Sequence, residues 1–214
     1  MKFVKPPKDL IKKSGAQPYI NPIIGIVYWK KLKDVFTYLK KRRWELILEI
    51  GCGEGFLLPS FCQISDRVIG SDIESTFNLC QITLREFKKS YANLKLIKCD
   101  ATSLSDCIDE NSCDVIVAIS VLEHINDYNR AIIEIHKCLK PDGIFVCVLP
   151  SENWLYKLSR RLLRYGGEYH KHYNYEKMQA SLRRNFKEIE KWNCPFGIPL
   201  FTISVLQKEG NENN

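Results

Sequence analysis

From residue 46 onward, short apolar runs alternate with stretches of helical periodicity, and that alternation leaves the chain few architectures. The runs 46–50, 67–72, 94–98, 114–119 and 144–149 are rich in Val, Ile and Leu, and 75–90 and 127–139 between them carry helical spacing. Strands that alternate with helices form a parallel sheet covered on both faces, an α/β fold of the doubly wound kind. The turn Lys140-Pro141-Asp142-Gly143 is expected to stop the second helix and return the chain to a strand.

The flanks read differently. Residues 1–20 are rich in Lys and Pro and are expected to be mobile, whereas 23–43 suggest a helix with Ile26, Trp29, Leu32, Val35, Phe36 and Leu39 on the side that packs on the sheet. Residues 152–165 form an amphipathic basic helix pattern, with Trp154, Leu155, Leu158 and Leu162 opposing Lys157, Arg160, Arg161 and Arg164; Gly166-Gly167 ends it. A further helix over 175–184 and strands near 186–192 and 200–207 complete the pattern, and 209–214 are expected to be disordered. The expected organisation is a basic amino-terminal segment and cap helix (1–44), one domain over 45–208 with 151–185 inserted in it, and a tail.

Composition narrows the setting. A chain of 214 residues with 45% hydrophobic content can bury one sizeable core. It has no apolar run near the roughly 18 to 20 residues that cross a bilayer, and its start lacks a signal peptide's apolar centre. Nine cysteines, odd in number and without a C-x-x-C pair, read as free thiols in a reducing cytoplasm. The net charge of +7 is uneven: +9 over 1–45, −7 over 46–156, +6 over 157–191 and −1 beyond. The basic flanks fit an anionic substrate, nucleic acid, an anionic membrane surface met peripherally, or simply solvated helix faces.

The chemistry gathers where strands end. In Leu46-Ile47-Leu48-Glu49-Ile50-Gly51-Cys52-Gly53-Glu54-Gly55 an apolar strand runs through an acid into three alternate glycines, which let the backbone turn sharply and touch a ligand. Asp72 ends the second run, 21 residues after Gly51, where doubly wound nucleotide folds place the acid that accepts ribose hydroxyls. Asp100 follows the third run, where it suits either an adenine edge or a helix cap, and Ser120 with Glu123-His124 follows the fourth. The loop is not G-x-G-x-x-G, Glu54 would repel a diphosphate, and no G-x-x-x-x-G-K-[ST] occurs. An adenosine cofactor without phosphates fits better than NAD, FAD or ATP.

In order along the chain, EIGCGEG (49–55), SDIE (71–74), CDA (99–101), SVLEHI (120–125) and LKPDGIFVCVLP (139–150) resemble the motifs of class I S-adenosylmethionine-dependent methyltransferases, in the small-molecule branch that includes quinone-biosynthesis enzymes. The resemblance covers about 45–150. It implies a Rossmann-like, seven-stranded, mostly parallel sheet with one antiparallel strand, and S-adenosyl-L-methionine as cofactor. It further implies that Glu49 and the backbone of Gly51, Cys52, Gly53 and Gly55 hold the methionyl end. Asp72 would bind the ribose, Ile73 would pack on the adenine, Asp100 and Ala101 would meet its edge, and Ser120 and Val121 would line the pocket by the sulfonium. Many relatives carry Asn or Asp where this chain has Ser120.

A sulfonium leaves readily, so alignment and exclusion of water suffice for transfer, and a general base adds rate only for some acceptors. His124, His170 and His172 are the candidate bases, and Tyr28, Trp154, Tyr169 and Tyr173 candidate walls for the acceptor, with the insertion 151–185 on the acceptor's side. The H-x-H of 170–172 lacks a third ligand at fixed spacing, so no metal is expected. The expected acceptor is a small molecule, glycan or lipid-linked precursor. An RNA or protein methyltransferase is the alternative suggested by charge, although Ser120-Val121-Leu122-Glu123 stands where base-methylating relatives show N-P-P-Y or D-P-P-Y. A non-catalytic scaffold is the third.

Overall fold

The computed structural model describes residues 1–6, 8–13, 16–73, 80–81, 84–85, 91–162 and 173–209. Seven strands form one sheet: β1 (Trp44–Ile50), β2 (Ser65–Asp72), β3 (Leu94–Lys98), β4 (Cys113–Ile119), β5 (Leu139–Pro150), β6 (Lys187–Cys194) and β7 (Phe201–Gln207). Their order is β3-β2-β1-β4-β5-β7-β6, and β7 runs antiparallel to both of its neighbours, as expected of the final strand. The helices described are α1 (Lys8–Lys13), α2 (Gln17–Ile20), α3 (Ile24–Leu39), α4 (Leu58–Phe61), α5 (Tyr128–Cys138), α6 (Trp154–Leu162) and α7 (Tyr175–Asn185). The expected helix over 75–90 falls mostly outside the described residues, as do Gly166-Gly167 and 210–214.

Side chains alternate across a strand, so each central strand feeds two cores. Ile47, Val115, Val117, Val146 and Val148 pack on one face with Leu32, Val35, Phe36 and Leu39 of α3. Leu46, Leu48, Ile116, Phe145 and Cys147 pack on the other with Ile132 and Ile135 of α5 and Met178 and Leu182 of α7. These strands lack the polar alternation of a half-exposed sheet because both faces are covered. β6, at the sheet edge, is exposed along most of its length.

Three expectations are corrected. The described part of 1–20 is not structureless: α1 buries Leu10 and Ile11, Ala16 is buried just before α2, Phe3 lies 6.0 Å from the ring of Phe36, and the Val4 amide donates to Ser60 Oγ at 2.9 Å. Apolar residues spaced between the lysines provide that anchorage. Ile26 of α3 is 56% exposed, because the helix turns Ile24, Lys31, Leu32 and Val35 inward instead. The turn at 140–143 is absorbed as an irregularity within β5, where pairing jumps from Cys113↔Leu139 to Val115↔Ile144 and Asp142 adopts φ 60°.

Glu134 ties α5 to the 3-10 segment Ala101–Asp106 that follows β3. Its buried carboxylate accepts the Ser105 amide at 3.0 Å, the Ser105 hydroxyl, and Lys137 Nζ at 2.9 Å. Burial pushes this carboxyl up, but the bonds from Ser105 and Lys137 outweigh it and hold it at about 2. Because the folded value lies below the ordinary 4.5 of a glutamate, the stabilisation is present above pH 4.5 and is lost as pH falls towards 2. Glu134→Ala is expected to cost about 3 kcal/mol in urea denaturation at neutral pH, and less at pH 3.

Candidate functional site

The sheet reverses its strand order between β1 and β4, and doubly wound folds bind ligands outside the carboxyl ends of the strands at such a switch point. The glycine loop emerges there. Gly51, Gly53 and Gly55 have φ of 61°, 51° and 70°, a region that side chains disfavour. A Cβ on Gly51 would lie 2.4 Å from Val121 Cγ2, so close packing against the β4 loop also requires glycine. A Cβ on Gly53 would meet nothing within 4 Å, so there the glycine serves its backbone angle and leaves the loop's outer surface bare.

Asp72 fixes this loop from the end of β2. It is buried; its Oδ2 accepts the Gly53 amide at 2.6 Å and its Oδ1 the Ile73 amide at 2.8 Å. The Cys52 amide donates to Ser71 O at 3.0 Å, which extends the tie between β1 and β2 into the loop. Cys52 Sγ lies 3.8 Å from Cys80 Sγ. Ile73, just beyond, is 54% exposed. Asp100 serves as a cap: its Oδ1 accepts both the amide and the hydroxyl of Thr102 at 2.8 Å. Ala101, half-buried, begins the 3-10 segment that this cap starts.

A cavity of about 310 Å³ opens beside the loop, bounded by Glu49, Gly51, Gly53, Tyr28, Lys31 and Ser120. Glu49 is buried with Oε2 unpartnered, and burial, followed by Cys80 and Asp72, pushes its carboxyl well above the usual range. Lys31, only 2% exposed, donates from Nζ to Ser120 Oγ at 2.8 Å. Its ammonium lies 4.2 Å from the centroid of the Tyr28 ring and 4.6 Å from that of Phe201. Burial lowers its pKa to about 8 while Glu123 and Cys194 act in the other direction. At neutral pH it therefore remains largely a cation. Glu123, also buried, has an unpartnered Oε2; burial raises it to about 7, against its own backbone hydrogen bond and Lys31.

The expected residues that the structure describes thus fall into three groups. Glu49, Gly51, Cys52, Gly53, Ser120 and Tyr28 line the cavity, and exposed His124 stands on its wall as well. Gly55, Asp72, Ile73, Asp100, Ala101 and Val121 surround the loop and the adjoining strand ends. Two acceptor candidates stand elsewhere: Trp154 is 74% exposed and does not line this cavity, because α6 turns Tyr156 inward, and the Tyr173 hydroxyl donates to Pro150 O at 2.9 Å. His170, His172 and Tyr169 lie outside the described residues. Among the described residues, no three His, Cys, Asp or Glu side chains are grouped to hold a metal ion. Lys31 was not foreseen, and Glu123 was placed at the end of the fourth strand without a role. Lys31 sits in a run of lysines that suggests a solvated face, and the signal that finds it is its helical phase, four residues before buried Val35.

A family model described as a methyltransferase domain matches residues 48–147. The ubiquinone biosynthesis O-methyltransferase of Rhodopseudomonas palustris (strain BisB5) is 30% identical over 108 residues, 50% of this chain and 41% of that protein. The mitochondrial arginine-hydroxylase NDUFAF5 of Danio rerio is 29% identical over 146 residues, 68% of this chain and 41% of that protein. The chain thus spans about two fifths of the length of these curated relatives. In structure it resembles magnesium protoporphyrin IX methyltransferase from Synechocystis PCC 6803 with bound SAH (TM-score 0.71, 15% identity, 94% of this chain and 98% of that one). It also resembles a SAM-dependent methyltransferase from Aquifex aeolicus (TM-score 0.70, 13% identity, 92% and 97% covered).

Proposed function

Since residues 48–147 form a class I S-adenosylmethionine-dependent methyltransferase domain, we propose that the chain methylates a small-molecule, glycan or lipid-linked acceptor, with residues 1–44 capping a domain over 45–208. The observation that carries this reading is a buried cation, Lys31, and an unpartnered buried carboxyl, Glu49, on one cavity beside a bare glycine loop. A buried charge is costly unless something pairs with it. A zwitterionic amino-acid end answers both groups: Lys31 takes its carboxylate and Glu49 its ammonium, while backbone amides of the loop lie alongside. Bound there, S-adenosylmethionine supplies a methyl group on a sulfonium that is already a good leaving group.

The chain's own groups then bind, orient and exclude water. Asp72 holds the loop and faces the ribose, exposed Ile73 offers an apolar surface to the adenine, and Asp100 with Ala101 meets its edge. Ser120, fixed by Lys31, and Val121, packed on Gly51, shape the wall nearest the transferring group. Tyr28 walls the acceptor's approach, and His124 is the described residue placed to take a proton from it. His170 and His172 are further candidate bases and Tyr169 a further wall of the acceptor site, on the sequence alone. The nine free cysteines favour work in the cytoplasm.

Calorimetry with S-adenosylhomocysteine tests the reading directly. Saturable binding of one molecule per chain is expected, and no heat at millimolar ligand would remove the proposal's basis.

A further inference from the structure

Helix α3, which walls the cavity, and α6, whose Tyr156 packs on Phe201 beside it, both carry apolar and basic residues on their outward faces. On α3 and the residue before it, Ile23, Ile26, Lys30 and Lys33 follow one another at spacings of three and four, with Ile23 63% and Ile26 56% exposed. On α6, Lys157 and Leu158 lie three and four residues after Trp154, and Arg161 lies four and three after them, with Trp154 74% and Leu158 41% exposed. Large apolar side chains seldom stand in water in such company, and an apolar strip bordered by cations is the pattern of a helix lying in a membrane interface. Their inner faces are accounted for: α3 sends Lys31 to the cavity, and buried Tyr156 of α6 packs on Phe201 at 5.7 Å, the same ring that Lys31 covers.

The loop between β6 and β7 joins the two faces. Asn153, before α6, donates to Pro199 O, and the Ser151 amide donates to Leu200 O at 3.0 Å. From this loop Phe196 projects with 69% of its surface exposed, Ile198 with 43%, and Lys30 Nζ lies 5.3 Å from the Phe196 ring. Phe196 and Ile26 also border an open groove of about 910 Å³ between α3 and the amino-terminal segment. Lys5, Lys8 and Lys12 from that segment, Lys30 and Lys33 from α3 and Lys40 just after it line the groove, with no acidic residue among the described lining, although Lys30 is bridged to Asp34.

The geometry points to docking of this face, formed by α3, the β6–β7 loop and α6, on an anionic lipid bilayer. Trp154, Phe196 and Ile26 enter the interface and the lysines meet lipid phosphates. The charge complementarity decides the occupant: an apolar strip alone suits a protein partner, and lysines alone suit nucleic acid, whereas both on one face match an acidic headgroup layer over hydrocarbon. Docked in this way, the chain has its cofactor cavity close to the lipid surface, so the acceptor class that follows is amphiphilic, drawn from the bilayer rather than from solution.

Vesicle sedimentation of the full chain without cofactor tests docking independently of methyl transfer. Partition onto phosphatidylcholine vesicles containing about one third phosphatidylglycerol is expected, with weak partition onto phosphatidylcholine alone and loss in high salt. Reversing Lys33 and Lys157 to Glu should lower partition about 100-fold or more, and Phe196→Ser with Trp154→Ser about 10-fold. Equal binding to both vesicle types, or binding unchanged by both pairs, overturns the proposal. So does failure to sediment with vesicles together with lysine-dependent capture of a single-stranded RNA oligomer, which would assign the basic face to nucleic acid. Circular dichroism of each pair verifies that the fold is retained.

Discussion

Lys31→Met is expected to weaken S-adenosylhomocysteine binding by about 10- to 100-fold, as losing a charge-assisted hydrogen bond of ~1.5–3 kcal/mol implies. 5′-Methylthioadenosine shares the nucleoside but lacks the amino-acid end, so its affinity should not change. Equal loss for both ligands would mean that Lys31 supports the fold instead of reading a carboxylate, and no loss for either would remove it from the site. In the wild type, affinity for S-adenosylhomocysteine should fall as pH rises through about 8, where the amine gives up its proton, with no comparable slope for 5′-methylthioadenosine. Stability should respond in the opposite sense. The folded value lies below the ordinary 10.5 of a lysine, so the unfolded chain binds the proton more readily between the two, and the folded state gains stability as pH rises from 8 to 10.5. A buried ammonium is thus kept at a cost to the fold, and Lys31→Met should melt no lower than the wild type at pH 7.

The second large effect is expected at Asp72. Asp72→Ala removes the acceptor of both the Gly53 and Ile73 amides, so the loop loses its tether to β2 and two amides lose their partner. Affinity for S-adenosylhomocysteine and for 5′-methylthioadenosine should fall together, by about 100-fold or more, since the loss combines two charge-assisted bonds with the ribose contact. Calorimetry on both ligands separates the two variants: Lys31→Met affects one ligand, Asp72→Ala both. A scaffold that had no use for the cofactor would keep its partner affinity in either variant.

Strands were legible because burial on both faces writes itself as uninterrupted apolar sequence; Leu46-Ile47-Leu48 and Val115-Ile116-Val117 could hardly sit elsewhere. Acids at strand ends were legible for a related reason, since a carboxylate just after an apolar run has a loop to serve. Asp100 shows the limit of that reading: both proposed roles fitted, and the structure shows it capping a 3-10 segment with one oxygen. Lys31 was invisible because residue type alone assigns lysine to water, and only the surrounding aromatic rings and Ser120 make its burial tolerable. Trp154 erred the other way. Residue type placed it in a pocket, while the phase of α6 gave the inner position to Tyr156, two residues on.

The exposed edge of the sheet has a consequence for how copies of this chain meet. β6 ends the order, and among the described residues no strand pairs with its outer edge, the arrangement that invites a second chain to add a strand. Lys187, Glu188, Glu190 and Lys191 stud that edge, so a neighbour approaching in register would bring charged side chains into a row that must shed its water. Edge-to-edge polymerisation is thereby discouraged along this edge of the sheet.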